Sequence, residues 1–127
     1  MRRLVSVATL CLLSACASNG AGPGRQYVVF FSEGSSVLDE ASLSVVTEVA
    51  EKARHYSGRT VVVEGYARQD GDLSTESLLA IRRAKAVSQQ LVADGVSPKR
   101  IRETTRPPSN AQGIVGSRRV EIELLAQ

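Results

Sequence analysis

Val61-Val62-Val63-Glu64-Gly65-Tyr66-Ala67-Arg68-Gln69-Asp70-Gly71 is the stretch on which the fold of this 127-residue chain turns. From Thr60 to Tyr66 the residues are nearly all β-branched or aromatic. This is the composition of a central strand, covered on one face and hydrogen-bonded along both edges. Asp70, Gly71 and Asp72 then break the run as a loop. A helix follows from about Ser74 to Asp94, stopped by Gly95. Advancing about 100° per residue, Leu79, Ala80, Ala84, Val87 and Leu91 fall in one apolar stripe, and Arg83 falls inside it, whereas Arg82 points almost the opposite way.

Working outward, Tyr27 to Phe31 is a short apolar run and the first strand. Asp39 is a suitable N-cap for a first helix whose apolar positions Leu43, Val46, Ala50 and Ala53 recur at helical spacing, with Gly58 beyond its end. Ser97-Pro98 opens a turn of helix before a strand over Ile101 to Arg106. Near the C-terminus Val120, Ile122 and Leu124 alternate with Arg119, Glu121 and Glu123, giving a strand with one dry and one wet face. The order β, α, β, α, β, β, with both helices on one side, predicts an α/β (α+β) two-layer sandwich. Its mixed sheet has four strands and its one face carries the two main helices.

Chemistry that could support an enzyme is scarce. His55 is the only histidine and stands near the end of the first helix, where the dipole favours a cation; no second His or free Cys exists to build a dyad or a metal site. Asp70 and Asp72 could bind a cation, but no further ligands follow at EF-hand spacing, so they read as solvated turn residues and no metal or cofactor is expected. Arg83 is more informative. A guanidinium rooted on a buried face needs a partner. The partner is either an internal carboxylate, with Glu64 and Asp70 as candidates, or an anionic group of a ligand at a pocket edge.

Gly65-Tyr66-Ala67-Arg68-Gln69-Asp70-Gly71, then Leu79-Ala80-Ile81-Arg82-Arg83-Ala84, then Ser117-Arg118-Arg119-Val120-Glu121 resemble in order and spacing the OmpA-like (OmpA C-terminal, Pal-type) peptidoglycan-binding domain. The family pattern is roughly G-H-T-D-x-x-G, N-x-x-L-S-x-x-R-A and N-R-R-V-E. The resemblance spans about Tyr27 to Leu125 and implies a non-catalytic module. In such a module Arg83 would take the carboxylate of diaminopimelate in the peptidoglycan stem peptide bidentately. Arg118 and Arg119 lie at the third motif, and strand alternation allows at most one of them to face the ligand loops; surface charges flanking an edge strand are the alternative.

Departures from the family gather at the ligand positions. Tyr66, Ala67 and Arg68 replace His, Thr and Asp; Glu76 stands at the Asn position, Ala80 replaces Ser and Ser117 replaces Asn. The segment Pro107 to Gly116 is shorter than the family's connection and is read as lacking its helical turn. Gly65, Gly71, Leu79, Arg83, Ala84, Val120 and Glu121 are retained. Arg68 would meet the diaminopimelate ammonium with like charge, a repulsion of up to about 4 kcal/mol at ~4 Å that solvent reduces to about 1–2 kcal/mol. Asp70, Asp72 or Glu76 could return a carboxylate from a neighbouring position. The alternative is a degenerate domain that binds a protein partner in a cell-envelope assembly.

Met1-Arg2-Arg3 followed by the apolar run Leu4 to Leu13 reads as a signal peptide, too short to cross a bilayer core. It ends in Leu13-Ser14-Ala15-Cys16, which resembles a bacterial lipobox, so residues 1–15 are expected to be removed and Cys16 lipidated; cleavage of an ordinary signal peptide near Ala15 or Ala17 is the alternative. Ala17 after the Cys implies sorting to the outer membrane, with the domain facing the periplasm. Residues 16–26 form the lipidated Cys and a small, polar tether, whose last ten residues span about 17 Å on average and at most about 35 Å. Residues 27–127 form the domain. Loss of Arg2 and Arg3 leaves 14 basic and 13 acidic side chains. With that balance, no basic run and only three Tyr and two Phe for stacking, nucleic acid is not an expected partner.

Overall fold

The computed structural model describes residues 26–126. The expected signal peptide, the lipidation site Cys16 and nearly all of the tether lie outside them. Strand β1 (Gln26–Phe30) is followed by helix α1 (Glu40–His55), β2 (Thr60–Gly65), α2 (Leu73–Ala93), a 3₁₀ turn (Pro98–Arg100), β3 (Ile101–Thr105), a single helical turn α3 (Gly113–Gly116) and β4 (Arg119–Leu125).

The sheet runs β1-β4-β2-β3. β2 pairs in parallel with β3 and antiparallel with β4, so it is bonded along both edges as its composition requires. Register follows the dry positions: Val63 faces Ile122 and Val61 faces Leu124 across β2–β4, and Val29 faces Val120 across β1–β4. These residues form one core with Val46, Val49 and Ala53 of α1 and Ala84, Val87 and Leu91 of α2. The expected mixed sheet and two-layer α+β sandwich is the observed architecture.

Local details correct three readings. Asp39 does cap α1, its Oδ1 accepting from the Ser42 N–H at 2.8 Å, but Leu43 is exposed and the buried residue of that turn is Ser42. The Ser42 hydroxyl donates to the Phe30 carbonyl at 3.0 Å, so a polar side chain holds the helix start to the sheet edge. Asp72, read as a solvated turn residue, is the N-cap of α2; it accepts from the Ser74 N–H at 3.0 Å and from the Thr75 hydroxyl at 2.9 Å. Between β3 and β4, where no helical turn was expected, Gly113 adopts φ +73° and opens α3. The turn closes because the Ser117 hydroxyl donates to the Gly113 carbonyl at 2.6 Å and the Arg118 N–H to Val115 O at 3.0 Å.

Candidate ligand-binding cleft

The glycine after the Val61–Glu64 run decides how closely α2 lies on the sheet. A Cβ on Gly65 would stand 2.5 Å from the Ala80 carbonyl oxygen, so only glycine permits this approach of strand to helix. Alternation then turns Tyr66 to the sheet face away from the helices. Its hydroxyl donates to Glu121 Oε2 at 2.7 Å, while Arg119 and Arg106 lie over its ring at 4.1 and 4.7 Å. Arg119 also pairs with Glu121 at 3.0 Å and Arg106 with Glu64 at 3.1 Å. Burial pushes the Tyr66 phenol above its usual pKa, and the Glu121 carboxylate adds to the shift. Tyr66 and Arg119 thus brace one side of the sheet.

On the other side of this end, the loop 66–72 leaves β2 and turns back at Gly71, whose φ of +84° favours glycine. Asn110, from the β3–β4 connection, fastens the loop: its Oδ1 accepts from the Gln69 N–H at 3.0 Å and its Nδ2 donates to Asp70 Oδ1 at 2.8 Å. Asp70 is therefore held outward, exposed. Phe31 N–H donates to Arg118 O at 2.8 Å, carrying the β1–β4 ladder one step further and setting Arg118 beside the loop that follows β1.

Between these loops and the start of α2 lies a cleft of about 320 Å³, lined by Glu33, Gly34, Arg68, Thr75, Glu76, Leu78, Leu79, Arg82, Arg83, Ser117 and Arg118. Of the residues singled out in the sequence, Arg83, Arg68, Glu76 and Arg118 meet here; Asp70 does not, because Asn110 holds it elsewhere. Arg82 does line the cleft, contrary to its position on the helical wheel. A long flexible stem carries a guanidinium well away from the direction of its Cα–Cβ bond.

Arg83 is 2% exposed. Its partner is neither Glu64 nor Asp70. Nε donates to Ser35 O at 2.7 Å and Nη2 to Ser32 O at 3.0 Å, and the guanidinium lies 5.3 Å from the Phe31 ring centre. The cation is thus met by backbone carbonyls of the β1–α1 loop, and its remaining donors are free for the cleft. Burial lowers the Arg83 pKa; Glu76 opposes the shift and Arg118 adds to it, which places both charges within electrostatic reach. The other two expected site arginines are less satisfied. The Nε atoms of Arg68 and Arg118 are buried without a hydrogen-bond partner.

Sequence reasoning missed Glu33, Gly34, Thr75, Leu78 and Arg82 in this cleft, and for Glu33 and Gly34 no local signal exists, since they arrive through the Arg83 contacts with Ser32 and Ser35. The domain is thus a two-layer α/β sandwich with a concave opening, lined by both charged and apolar side chains, at one end of its sheet. The OmpA family profile matches residues 30–119, and the chain belongs to that family. It is 30% identical over 103 residues to Outer membrane protein A of Bordetella avium, covering 76% of this chain and 53% of that protein, so it spans about half the relative's length. The fold is similar to the peptidoglycan-associated lipoprotein of Burkholderia pseudomallei, with a TM-score of 0.69 at 16% identity over 77% of this chain and 89% of that one. It is also similar to the C-terminal domain of Helicobacter pylori MotB, with a TM-score of 0.69 at 17% identity over 80% and 85%. At these identities the likeness is one of fold.

Proposed function

We propose that the chain is a non-catalytic binding module of the bacterial cell envelope, in which the cleft takes the stem peptide of peptidoglycan and a lipid on Cys16 ties the domain to the outer membrane. The observation that carries this reading is the convergence of Arg83 and Arg118, from two separate family motifs, on one opening. Arg83 is positioned by packing and by two carbonyls, so its free donors are presented without ordering a flexible side chain at binding, the condition under which a guanidinium recognises carboxylate well. Relatives named outer membrane proteins, and a fold neighbour named a peptidoglycan-associated lipoprotein, support the same compartment. OmpA-like domains are generally binding modules, which favours a role without catalysis.

Arg68 supports a second reading, in which the same cleft serves a protein partner, because it places a cation where the family pattern has Asp. Sedimentation of the full chain, kept in detergent, with purified sacculi separates the two. Under the first reading the chain co-sediments weakly, Arg118→Ala reduces the bound fraction, and Arg68→Asp increases it. Absence of sedimentation in both the natural chain and Arg68→Asp would leave the protein-partner reading.

A further inference from the structure

The cleft carries more positive charge than its own carboxylates neutralise. Arg68, Arg82, Arg83 and Arg118 line it against Glu33 and Glu76. Among the described residues none of these side chains is in an ion pair. Buried Nε donors of Arg68 and Arg118 lack any partner, and a buried donor on a charged group is costly to leave unmet. Arg83 already satisfies two carbonyls, yet keeps donors toward the opening.

A single carboxylate leaves part of this charge unmatched, and an ammonium brought in beside it adds to the repulsion at Arg68. Two carboxylates match both the charge excess and the planar, forked donors of guanidinium. We propose that the cleft selects a dicarboxylate without an ammonium group, the two acid groups being shared among Arg68, Arg82, Arg83 and Arg118. This rests on the envelope-binding reading only for the source of the ligand. A stem-peptide end whose side-chain amine has been acylated in a cross-link offers carboxylates alone, whereas one with a free amine does not.

Pimelate and diaminopimelate share a dicarboxylate backbone and differ in the ammonium groups, so they isolate the question. Titrated calorimetrically against the full chain in detergent at low salt, pimelate should bind at least about tenfold more tightly than diaminopimelate, with the preference shrinking as salt rises. Arg68→Asp should reverse the order, and Arg118→Gln should weaken pimelate at unchanged Tm. Arg68→Gln, which adds no new charge, should bring the two ligands near parity if Arg68→Asp does not fold. The proposal is overturned if diaminopimelate binds as tightly as pimelate, if neither binds, or if the preference survives both Arg68 variants.

Competition against sacculi tests the source apart from the site. Pimelate binding that obeys these rules without sacculus binding would sink the envelope reading and keep the dicarboxylate site. Sacculi released by diaminopimelate and not by pimelate would do the reverse.

Discussion

Arg83 carries out two tasks that pull on one side chain: it closes the β1–α1 loop through Ser32 and Ser35, and it faces the cleft. Removing it deletes two hydrogen bonds from a charged donor, one to Ser35 O and one to Ser32 O, which also accepts from the Ser35 N–H, at about 1.5–3 kcal/mol each. Arg83→Ala should therefore lower Tm by about 10 °C or more in a domain of this size, as well as weakening ligand, and thermal melts of both proteins check this. Arg83→Lys keeps charge without the fork and should fall between. A melting temperature unchanged in Arg83→Ala would mean that the loop has other anchors. At Arg68 the sign is opposite. Replacing the cation by Asp removes a repulsion and adds an attraction toward an ammonium, so affinity for diaminopimelate-type peptidoglycan should rise at least about tenfold, or 1.4 kcal/mol. Titration with muropeptides that carry the free amine reads this directly. Asp70→Asn should leave affinity unchanged, because Asp70 is tied to Asn110 outside the cleft.

Elements here are joined by a few contacts that tolerate little change. Gly65→Ala would drive a methyl onto the Ala80 carbonyl, a backbone atom that cannot swing aside. Unfolding in urea should show a loss of about 1–3 kcal/mol at unchanged m-value. The helix starts are sensitive to acid. A backbone hydrogen bond from Ser42 lowers the Asp39 pKa, and the Thr75 hydroxyl followed by backbone N–H groups lowers that of Asp72, both from 3.8. Folding lowers these values, so their contribution is present above the unfolded pKa and is lost as pH falls through the folded one. Tm should decline below about pH 4, and Asp39→Asn with Asp72→Asn should flatten that limb while keeping the capping oxygen. Asp39 was readable as a cap because it stands before a clean helical period. Asp72 was not, since Asp70, Gly71 and Asp72 together have the composition of a turn.

For the molecule as a whole, the outcome that matters is where the cleft is held. Under the lipoprotein proposal Cys16→Ser should release the chain from membranes, because the acyl chains would supply the anchor at about 0.8 kcal/mol per buried CH₂; fractionation with labelled palmitate measures it. Persistent outer-membrane fractionation with label in the variant would end the lipoprotein proposal. Element type and sheet position were legible in the chain because they depend on period and composition: Val61 to Val63 for a strand bonded on both edges, and Val120, Ile122 and Leu124 for a strand with one dry face. The sequence alone also placed Arg83 on a buried stripe, since that follows from helical geometry. What met its charge was decided by tertiary structure, through carbonyls 48 and 51 residues away. The same is true of the other site residues. Asn110 draws Asp70 aside across 40 residues, and Arg82 lines the cleft although helical geometry roots it almost opposite the buried stripe. Local period determines which way a Cβ points; where a long polar side chain ends is set by loops that meet only once the sheet has closed.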